Sequence, residues 1–476
     1  MKHRCLKIAV VVGVLLLMPM ANAWAAEMGE GPAFIPPIWA MLPFIGILLS
    51  IALFPLFVPH FWEHHYGKVS AAWLVLGLVL MYISVPADMA FLAAYGPRMF
   101  ATGEEYISFI ILLGSLFVTS GGIFVSGDLR GTPTVNAVIL AIGAPLASII
   151  GTTGAAMVLI RPLLRANAHR VYQAHVVIFF IFLVANIGGS LTPIGDPPLF
   201  LGFLQGVPFF WTLHLIPHWL FMIALVLGGF FIMDTWLAKR EMNSDNAPTA
   251  PERTGEPLRV HGKINFVLLL GIVASVIMSG FWHIEPVIHV GSIGEVHLQN
   301  VLRDLIMVGL AVVSMFVTSR EVREANHFNF EPIKEVAYLF IGIFTTMIPA
   351  LMLLNARGDE LGLDEPWKFF WITGILSSFL DNAPTYLTFL ATAMGQYGIE
   401  NAVGMTQALE PSLTLIAISV GAVFMGANTY IGNAPNFMVK AIAEGQGVRM
   451  PTFLGYMVYS TLILFPMFVL VTLIFF

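Results

Sequence analysis

The sequence predicts an all-α polytopic membrane protein, with about ten transmembrane helices and two re-entrant hairpins in two inverted-topology repeats with discontinuous helices. Three observations support this fold class. Hydrophobic residues make up 58% of the 476 residues and charged residues only 11%, less than half of the roughly 25% found in soluble domains. Apolar stretches long enough to cross a bilayer recur along the chain. Glycine, proline and polar residues interrupt four of these stretches, at matching places in the two halves.

The composition also excludes several classes of function. The small net charge of −6 gives no indication of a nucleic-acid partner. The single cysteine, Cys5, excludes a disulfide framework and a cysteine-rich metal site. The sequence has no G-x-x-x-x-G-K-[ST] phosphate loop. We therefore expect no enzymatic activity and no cofactor apart from transported or coupling sodium ions and protons.

Residues 1–26 are predicted to be a cleaved secretory signal peptide. Basic residues within the first seven positions precede a short apolar run, 8–20, and Ala21-Asn22-Ala23 fits a cleavage site. The alternative is an ordinary first transmembrane helix, but the apolar run is shorter than the ~20 residues that a span needs. Cleavage would leave the mature chain starting outside the membrane.

Ten apolar stretches are predicted to span the membrane. Two of them, 171–206 and 411–445, are long but broken by Gly, Pro, Asn and Asp. A polar stretch, 239–263, is expected to be a flexible cytoplasmic linker between a first repeat, 34–238, and a second, 264–476. The eight uninterrupted stretches are 38–58, 69–88, 106–126, 209–238, 264–282, 299–319, 335–354 and 452–475.

Two further apolar stretches, 134–165 and 367–395, are predicted to be re-entrant hairpins. Each has a polar or Gly/Pro-containing centre, at 150–154 and 380–384, and each half is too short to cross the bilayer alone. Irregular backbone at membrane depth must be buried in protein or must line a water-filled cavity. The two tips are therefore expected to lie inside the protein.

The positions of Lys and Arg predict the orientation. With the mature N-terminus outside, ten spans place most basic residues in the inside loops and leave only Arg98, Arg303, Arg357 and Lys368 outside. This asymmetry agrees with the positive-inside rule. We expect a multi-pass protein of the bacterial inner membrane with a periplasmic mature N-terminus.

The two halves resemble each other in sequence. Each contains five full spans, an odd number, so the second half must enter the membrane inverted relative to the first. Inverted repeats with paired broken helices indicate a secondary transporter with a binding site near the midplane. The corresponding segments are 114–117 with 342–345, 146–152 with 376–382, and 189–198 with 426–435.

Two acids fall at predicted membrane depth, Asp196 in the first broken span and Asp381 at the tip of the second hairpin. Asp234, Asp304 and Glu335 lie near the ends of their spans and are expected to be interfacial. Each of the two central acids precedes a helix with a nearby proline, which fits a simple helix cap. A cap needs no charge, however, and intramembrane carboxylates usually mark ion pathways. Both acids are therefore predicted to bind the transported ion, with sodium as the metal.

Many neutral oxygen atoms surround these two acids in the sequence, and hard cations prefer oxygen ligands. Proton and sodium can compete for one carboxylate, which is the minimum that an antiporter needs. The predicted ion- or substrate-binding residues, besides Asp196 and Asp381, are Thr152, Thr153, Ser190, Thr192, Ser378, Asn382, Thr385, Asn428, Thr429 and Asn433.

Two other functions stay open. The N-termini of four half-helices would attract an anion, so a substrate carboxylate could bind there beside sodium, although no Arg or Lys lies at predicted midplane depth to neutralise a di- or tricarboxylate. A channel-like or non-transporting scaffold is the other alternative, but it has no use for buried acids. The histidines near Glu63 (His60, His64 and His65) are expected to be interfacial or solvated, and a pH-sensing or metal-binding role is the alternative, because histidine titrates near neutrality.

Two motifs resemble the ion transporter superfamily, and within it the NhaD-type sodium/proton antiporters and the related citrate-transporter-like (CitMHS-like) group. They are Gly188-Gly189-Ser190-Leu191-Thr192-Pro193-Ile194-Gly195-Asp196 and Ser377-Ser378-Phe379-Leu380-Asp381-Asn382-Ala383-Pro384. The family versions are similar to G-G-x-x-S-P-I-G-D and S-x-x-x-D-N-x-P. The resemblance covers roughly residues 105–450. It implies two inverted repeats, two hairpins meeting two broken helices, and exchange of sodium for protons.

The sequence departs from the NhaD-type pattern at the first hairpin. Those proteins have an Asp-Asn pair where this chain has Gly151-Thr152, so one carboxylate is missing from the set. The citrate-like relatives imply a sodium- or proton-coupled citrate or dicarboxylate carrier, and another branch implies arsenite transport. The predicted partners are the lipid bilayer and small ions or small organic anions, and a homodimer is one assembly such a carrier could form.

Overall fold

The computed structural model describes residues 34–243, 257–282, 287–291 and 293–476. The predicted signal peptide, 1–26, and residues 244–256 of the predicted linker lie outside the described residues. Within the described ranges the chain is mostly helical, with four short strands.

The described part of the first half, 34–243, contains eight α-helices. A 3₁₀ turn, Ile38–Met41, leads into the first helix, and another, Ile187–Leu191, lies between the sixth and the seventh. A third, Phe209–Leu215, precedes the eighth helix. The helices are α1 (Leu42–Phe57), α2 (Pro59–Ser84), α3 (Phe91–Ser120), α4 (Pro133–Ile150), α5 (Thr152–Asn167), α6 (Ala174–Leu183), α7 (Pro197–Leu204) and α8 (Ile216–Met242).

Nine α-helices lie in the second half, counted over its described residues. Its 3₁₀ turns are Gly358–Leu361, Gly404–Thr406 and Gly426–Asn428. The helices are α9 (Ile264–Phe281), α10 (Leu298–Val317), α11 (Arg320–Ala325), α12 (Glu331–Arg357), α13 (Pro366–Phe379), α14 (Asn382–Tyr397), α15 (Leu409–Met425), α16 (Ala434–Gly445) and α17 (Phe453–Phe475).

Eleven helical segments of the described chain are long and apolar enough to cross a membrane. Ten of them correspond to the predicted spans, and the eleventh, Pro133–Ile150, is the first arm of the first predicted hairpin. The predicted class of an all-α polytopic membrane protein is therefore confirmed.

Two helices begin well before the apolar stretches that predicted them. Helix α2 starts at Pro59 instead of 69, and α3 starts at Phe91 instead of 106. The early part of α3 is amphipathic, and its polar residues bond to neighbouring helices, so the helix continues where the hydrophobic pattern stops. As a result Glu105 lies inside a membrane helix, where its carboxylate accepts a 2.7 Å hydrogen bond from Gln205.

Helices α4 and α5 form a hairpin that turns at Gly151. This residue has φ of +80°, a conformation that glycine adopts without a steric penalty. The two ends of the hairpin that lie away from the turn are side by side, since the Gly131 amide donates to the Ala166 carbonyl at 2.7 Å. The amides of Asn136 and Asn167 also bond to each other, at 2.7 and 2.9 Å. The chain therefore returns to the side from which it entered.

Helices α13 and α14 meet at Leu380 and Asp381. The 3₁₀ turn that precedes α13 packs on the last turns of α14, where Gly358 lies directly against the backbone of Thr392. The start of α13 and the end of α14 are thereby brought to the same end of the molecule. The second predicted hairpin, 367–395, covers these two helices.

The broken helices lie at the centre of the protein. Of the residues in Ala174–Leu191, 89% are buried, and in an 18-residue apolar stretch of Leu409–Asn428 the share is 78%. The share in such a stretch is only 17% for Pro59–Ser84 and for Leu298–Val317. The first two segments are therefore enclosed by other helices, and α2 and α10 lie at the periphery of the protein.

Two small antiparallel ribbons complete the fold, and neither was predicted. Strand β1 (Phe124–Ser126) follows α3 and pairs with β2 (Arg259–His261), which precedes α9. Strand β3 (Ile288–Val290) pairs with β4 (Gly294–Val296) between α9 and α10. The first ribbon joins the two predicted repeats.

Candidate transport site

In the first repeat, Ser148 fixes the broken helix against the hairpin. Its backbone carbonyl accepts the hydroxyl of Thr192. Its own hydroxyl donates to the carbonyl of Gly188 at 2.5 Å and accepts the amide of Leu191 at 3.0 Å. The unwound segment between α6 and α7 is therefore held on the end of α4.

In the second repeat, Ser378 does the same. Its carbonyl accepts the hydroxyl of Thr429, and its hydroxyl donates to the carbonyl of Met425 at 3.0 Å and accepts the side-chain amide of Asn428 at 2.9 Å. Ser378, Met425, Asn428 and Thr429 occupy the positions of Ser148, Gly188, Leu191 and Thr192 in the sequence alignment of the halves. Both repeats thus use one hydrogen-bond framework.

Four helix starts converge on the carboxylate of Asp196. Its Oδ1 accepts the hydroxyl of Thr152 at 2.9 Å and the amide Nδ2 of Asn433 at 3.0 Å. Its Oδ2 accepts the amide Nδ2 of Asn382 at 2.6 Å. Each of these four residues comes from a different tip, two from the hairpins and two from the breaks. Asp196 is 1% exposed, so the structure places a buried carboxylate where all four tips meet.

The side chain of Asp196 does not cap its own helix. Asp196 is the N-cap residue of α7 and Asn433 that of α16, yet neither makes a side-chain capping bond. Asp381 does cap, because its Oδ1 accepts the amide of Ala383 at 3.0 Å. Helix capping therefore explains the contact of Asp381 but not those of Asp196. The side chain of Asp196 bonds only to residues from the other three tips.

The electrostatic surroundings of Asp196 are unusual for a buried carboxylate. Among the described residues, none that hydrogen-bonds to it carries a positive charge; the donors are one hydroxyl and two amides. The starts of α5, α7, α14 and α16 add the partial positive charge of helix N-termini. Asp381, which is partly exposed, immediately precedes Asn382 in the chain, so a second carboxyl group lies beside this centre without bonding to Asp196.

One oxygen at this centre lacks a partner. The Oδ1 atom of Asn382 is buried and accepts no hydrogen bond from any described residue, although its Nδ2 bonds to Asp196. Buried acceptors are almost always satisfied. An unpartnered amide oxygen beside a carboxylate is the arrangement expected of a cation ligand.

Sequence analysis did not identify Asn186, which connects the two repeats. Its Nδ2 donates to Asn436 Oδ1 at 2.7 Å and to the Ile181 carbonyl at 2.8 Å, and its Oδ1 accepts from Asn433 at 3.3 Å. Asn436 in turn donates to the carbonyls of Gly426 and Thr429, both at 2.9 Å. A lone asparagine just after the apolar run Val176–Leu183 of α6 was the feature of the sequence that could have indicated this role.

In the described part of the chain, the other predicted neutral site residues make no hydrogen bond to the Asp196 carboxylate. Thr192, Ser378, Asn428 and Thr429 form the two frameworks described above. Ser190 donates to the Ile187 carbonyl at 3.0 Å and Thr385 to the Asp381 carbonyl at 2.9 Å. Thr153 is partly exposed next to Thr152. Their role as direct ligands stays a prediction, and the contacts that they make here hold the tips in place.

Asp234, expected to be interfacial, lies near the end of α8 but is fully buried in an ion network. It pairs with Arg170 at 2.8 Å, with His175 at 2.9 Å and with the amide of Asn136 at 2.9 Å. Arg170 also pairs with Glu241 at 2.6 Å. The network joins α8 to the ends of the first hairpin that lie away from its tip. These charges therefore hold the base of the hairpin and are not part of the tip.

Comparison with known proteins identifies the family of this chain. Among curated proteins none matches the chain. The CitMHS_2 family, described as "Putative citrate transport", matches residues 34–476. That range includes both predicted repeats and all four tips that meet at Asp196. The chain therefore belongs to the CitMHS_2 family, within the citrate-transporter-like group of the ion transporter superfamily, and is a multi-pass membrane transporter.

Proposed function

We propose that this protein is a secondary active transporter of the bacterial inner membrane that exchanges sodium for protons, with Asp196 as the shared binding group. One observation carries the proposal: a buried carboxylate receives one contact from each of three other tips, and none of these contacts is cationic. The orientation proposed with it, a periplasmic mature N-terminus, follows from the distribution of Lys and Arg.

The chemistry of Asp196 supports binding of a small cation. A buried charge is costly unless it is paired, and here the hydroxyl and amide donors and the helix N-termini offset it only in part. A bound sodium ion or a proton would complete the neutralisation. The free Oδ1 of Asn382 could supply a second oxygen ligand, as hard cations require.

Exchange follows if the two cations cannot be bound together. Sodium binds the ionised carboxylate, and a proton removes the charge that attracts sodium. Because Thr152 and Asp196 come from one repeat and Asn382 and Asn433 from the other, movement of one repeat relative to the other would change both the ligand distances and the side of access. Such rocking around a midplane site is how transporters with inverted repeats alternate access.

The test is sodium-dependent dissipation of a pH gradient in proteoliposomes. Asp196→Asn keeps the size of the side chain and removes the charge, so we expect exchange to be lost. Asp359→Asn, at an exposed position in the 3₁₀ turn before α13, is the matched control and should exchange normally. Normal exchange by Asp196→Asn would contradict the proposal.

The family match favours a second candidate, a sodium- or proton-coupled carrier of citrate or a dicarboxylate. In that case the cation at Asp196 would also attract a substrate carboxylate toward the four helix N-termini. Uptake of labelled citrate or succinate into the same proteoliposomes distinguishes the two. Uptake that needs a sodium or proton gradient, without cation exchange when substrate is absent, would replace antiport by symport.

A further inference from the structure

The first two turns of α2 bring three metal-ligand side chains together. His60, Glu63 and His64 are spaced i, i+3 and i+4, which puts them on one face of the helix. One ligand atom from each lies within 4.8 Å of the other two. We propose that His60, Glu63 and His64 bind one divalent transition-metal ion of the zinc class. This differs from the expectation that the histidines are merely solvated, and it does not depend on the proposed transport function.

The hydrogen bond of His64 leaves the correct nitrogen free. Its Nδ1 lies 2.9 Å from the backbone carbonyl of His60, and because a carbonyl only accepts, Nδ1 carries the proton. The Nε2 of a neutral His64 is then unprotonated and available to a metal. A ligating histidine that donates its other N–H to a carbonyl is the usual supporting arrangement in metal sites.

The imidazole rings of His60 and His64 are close and not parallel. Their centroids are 4.7 Å apart and their planes are tilted by 58°, so the rings can direct nitrogen atoms toward one point. Two protonated rings this close would repel each other, whereas two neutral rings sharing an ion would not. The carboxylate of Glu63 supplies the negative charge that favours a cation despite the positive end of the helix.

The ligand set selects the class of ion. Two imidazole nitrogens and one carboxylate suit zinc or a neighbouring transition metal, whereas calcium and magnesium prefer oxygen ligands alone. Three protein ligands leave a fourth position for water, as in open zinc sites. All three side chains are exposed, so an ion could bind without opening the fold.

His65 offers a matched control one residue further on. Its Nδ1 also lies close to a backbone carbonyl, that of Phe61, at 3.0 Å. Its ring stacks on Phe61, with centroids 4.7 Å apart and planes within 6°. His65 is therefore a partly exposed histidine of the same helix that lies outside the ligand group.

The experiment titrates zinc into the full-length protein, purified with an affinity tag that lacks histidine, in competition with a chromogenic chelator. We expect the wild type and His65→Ala to bind one zinc ion per chain that His60→Ala and His64→Ala do not bind. Cobalt in place of zinc should give a visible absorption band that the same two variants lose.

Glu63→Gln serves as a further variant in case the alanine substitutions unfold the start of α2. It keeps the helix and both imidazoles, and it should weaken zinc binding and alter the cobalt band. Equal zinc uptake by wild type and His64→Ala would overturn the proposal. So would a loss of the ion in His65→Ala as large as that in His64→Ala.

Discussion

The two predicted repeats share a framework and differ in where each places its acid. Ser148 with Thr192, and Ser378 with Thr429, make the same contact between hairpin and broken helix. The first repeat has its acid, Asp196, at the broken helix and the neutral Gly151-Thr152 at the hairpin. The second has Asp381 at the hairpin and the neutral Asn433 at the broken helix.

This difference separates the residues that position the four tips from the residues that give the site its charge. The common framework positions four tips at one point, and it does so with neutral side chains and backbone atoms. The carboxylate that the other tips contact comes from the first repeat, and the second repeat supplies amide donors to it. A symmetric framework can therefore carry an asymmetric site, and substitutions can separate the two.

The largest expected effect comes from moving the central acid between repeats. Asp196→Asn should abolish exchange, whereas the double variant Asp196→Asn/Asn433→Asp keeps one carboxylate at the centre, in the equivalent position of the second repeat. We expect the double variant to regain measurable sodium-dependent proton exchange in proteoliposomes. If both variants are equally inactive, the site needs its acid in the first repeat specifically.

The next largest effect concerns the first repeat alone, which anchors its hairpin with buried ions. Arg170→Met removes the cation and leaves Asp234 and Glu241 buried without it, so the unfolding free energy should fall by roughly 3–5 kcal/mol. Thermal unfolding in detergent measures the change. Arg320→Met is the control, since its ion pair with Glu324 is exposed and is worth at most about 1 kcal/mol. Equal losses in the two variants would contradict a buried network.

Asp381 combines a cap and a charge, and two substitutions separate them. Asn can accept the same bond from Ala383, so Asp381→Asn should keep the stability of the protein, while Asp381→Ala should cost about 1 kcal/mol as a lost N-cap. Both remove the charge near Asp196, and both should reduce exchange to a similar extent. Thermal unfolding and proteoliposome exchange are measured on the same preparations. Full exchange by Asp381→Asn would limit Asp381 to capping.

The smallest effect tests whether the framework is symmetric in energy as well as in geometry. Thr192→Val removes the hydroxyl bond to the Ser148 carbonyl and should lower the unfolding free energy by about 1 kcal/mol. Thr429→Val removes the equivalent bond to Ser378 together with two bonds accepted from the amides of Ile431 and Gly432, at 3.2 and 3.1 Å, so its loss should be larger. Thermal unfolding of both variants in one detergent measures the difference, and equal losses would mean that the two extra contacts of Thr429 contribute no stability.

Sequence patterns were sufficient for the class of fold and for the presence of two unusual acids. Gly151 requires a positive φ, and Pro197 and Pro435 start helices, so the breaks have local chemical causes that a sequence displays. The contacts among the four tips have no local cause of this kind, because they join residues that are far apart in the sequence. Whether a hydroxyl such as that of Thr192 faces an ion or a backbone carbonyl depends on how hairpin and broken helix pack.

Long-range contacts also explain what sequence analysis missed. Asn186 matters because α6 lies against α16, and their sequence separation hides that contact. Glu105 appeared to precede a span, because polar residues on the inner face of a helix lower its hydropathy. In the structure its partner, Gln205, comes from the loop after α7. In both cases tertiary packing satisfied a polar group that a local pattern counted against the membrane.

The ribbon of β1 and β2 has a consequence for the covalent chain. Backbone hydrogen bonds link Phe124–Ser126 to Arg259–His261, and the Oγ of Ser126 lies 2.8 Å from Nε2 of His261. The first half is thus hydrogen-bonded to the end of the predicted linker, just before α9, as well as being connected through the linker. A gene divided within codons 244–256 would encode two polypeptides that can still pair through the ribbon of β1 and β2. The protein could therefore be assembled from separately translated fragments.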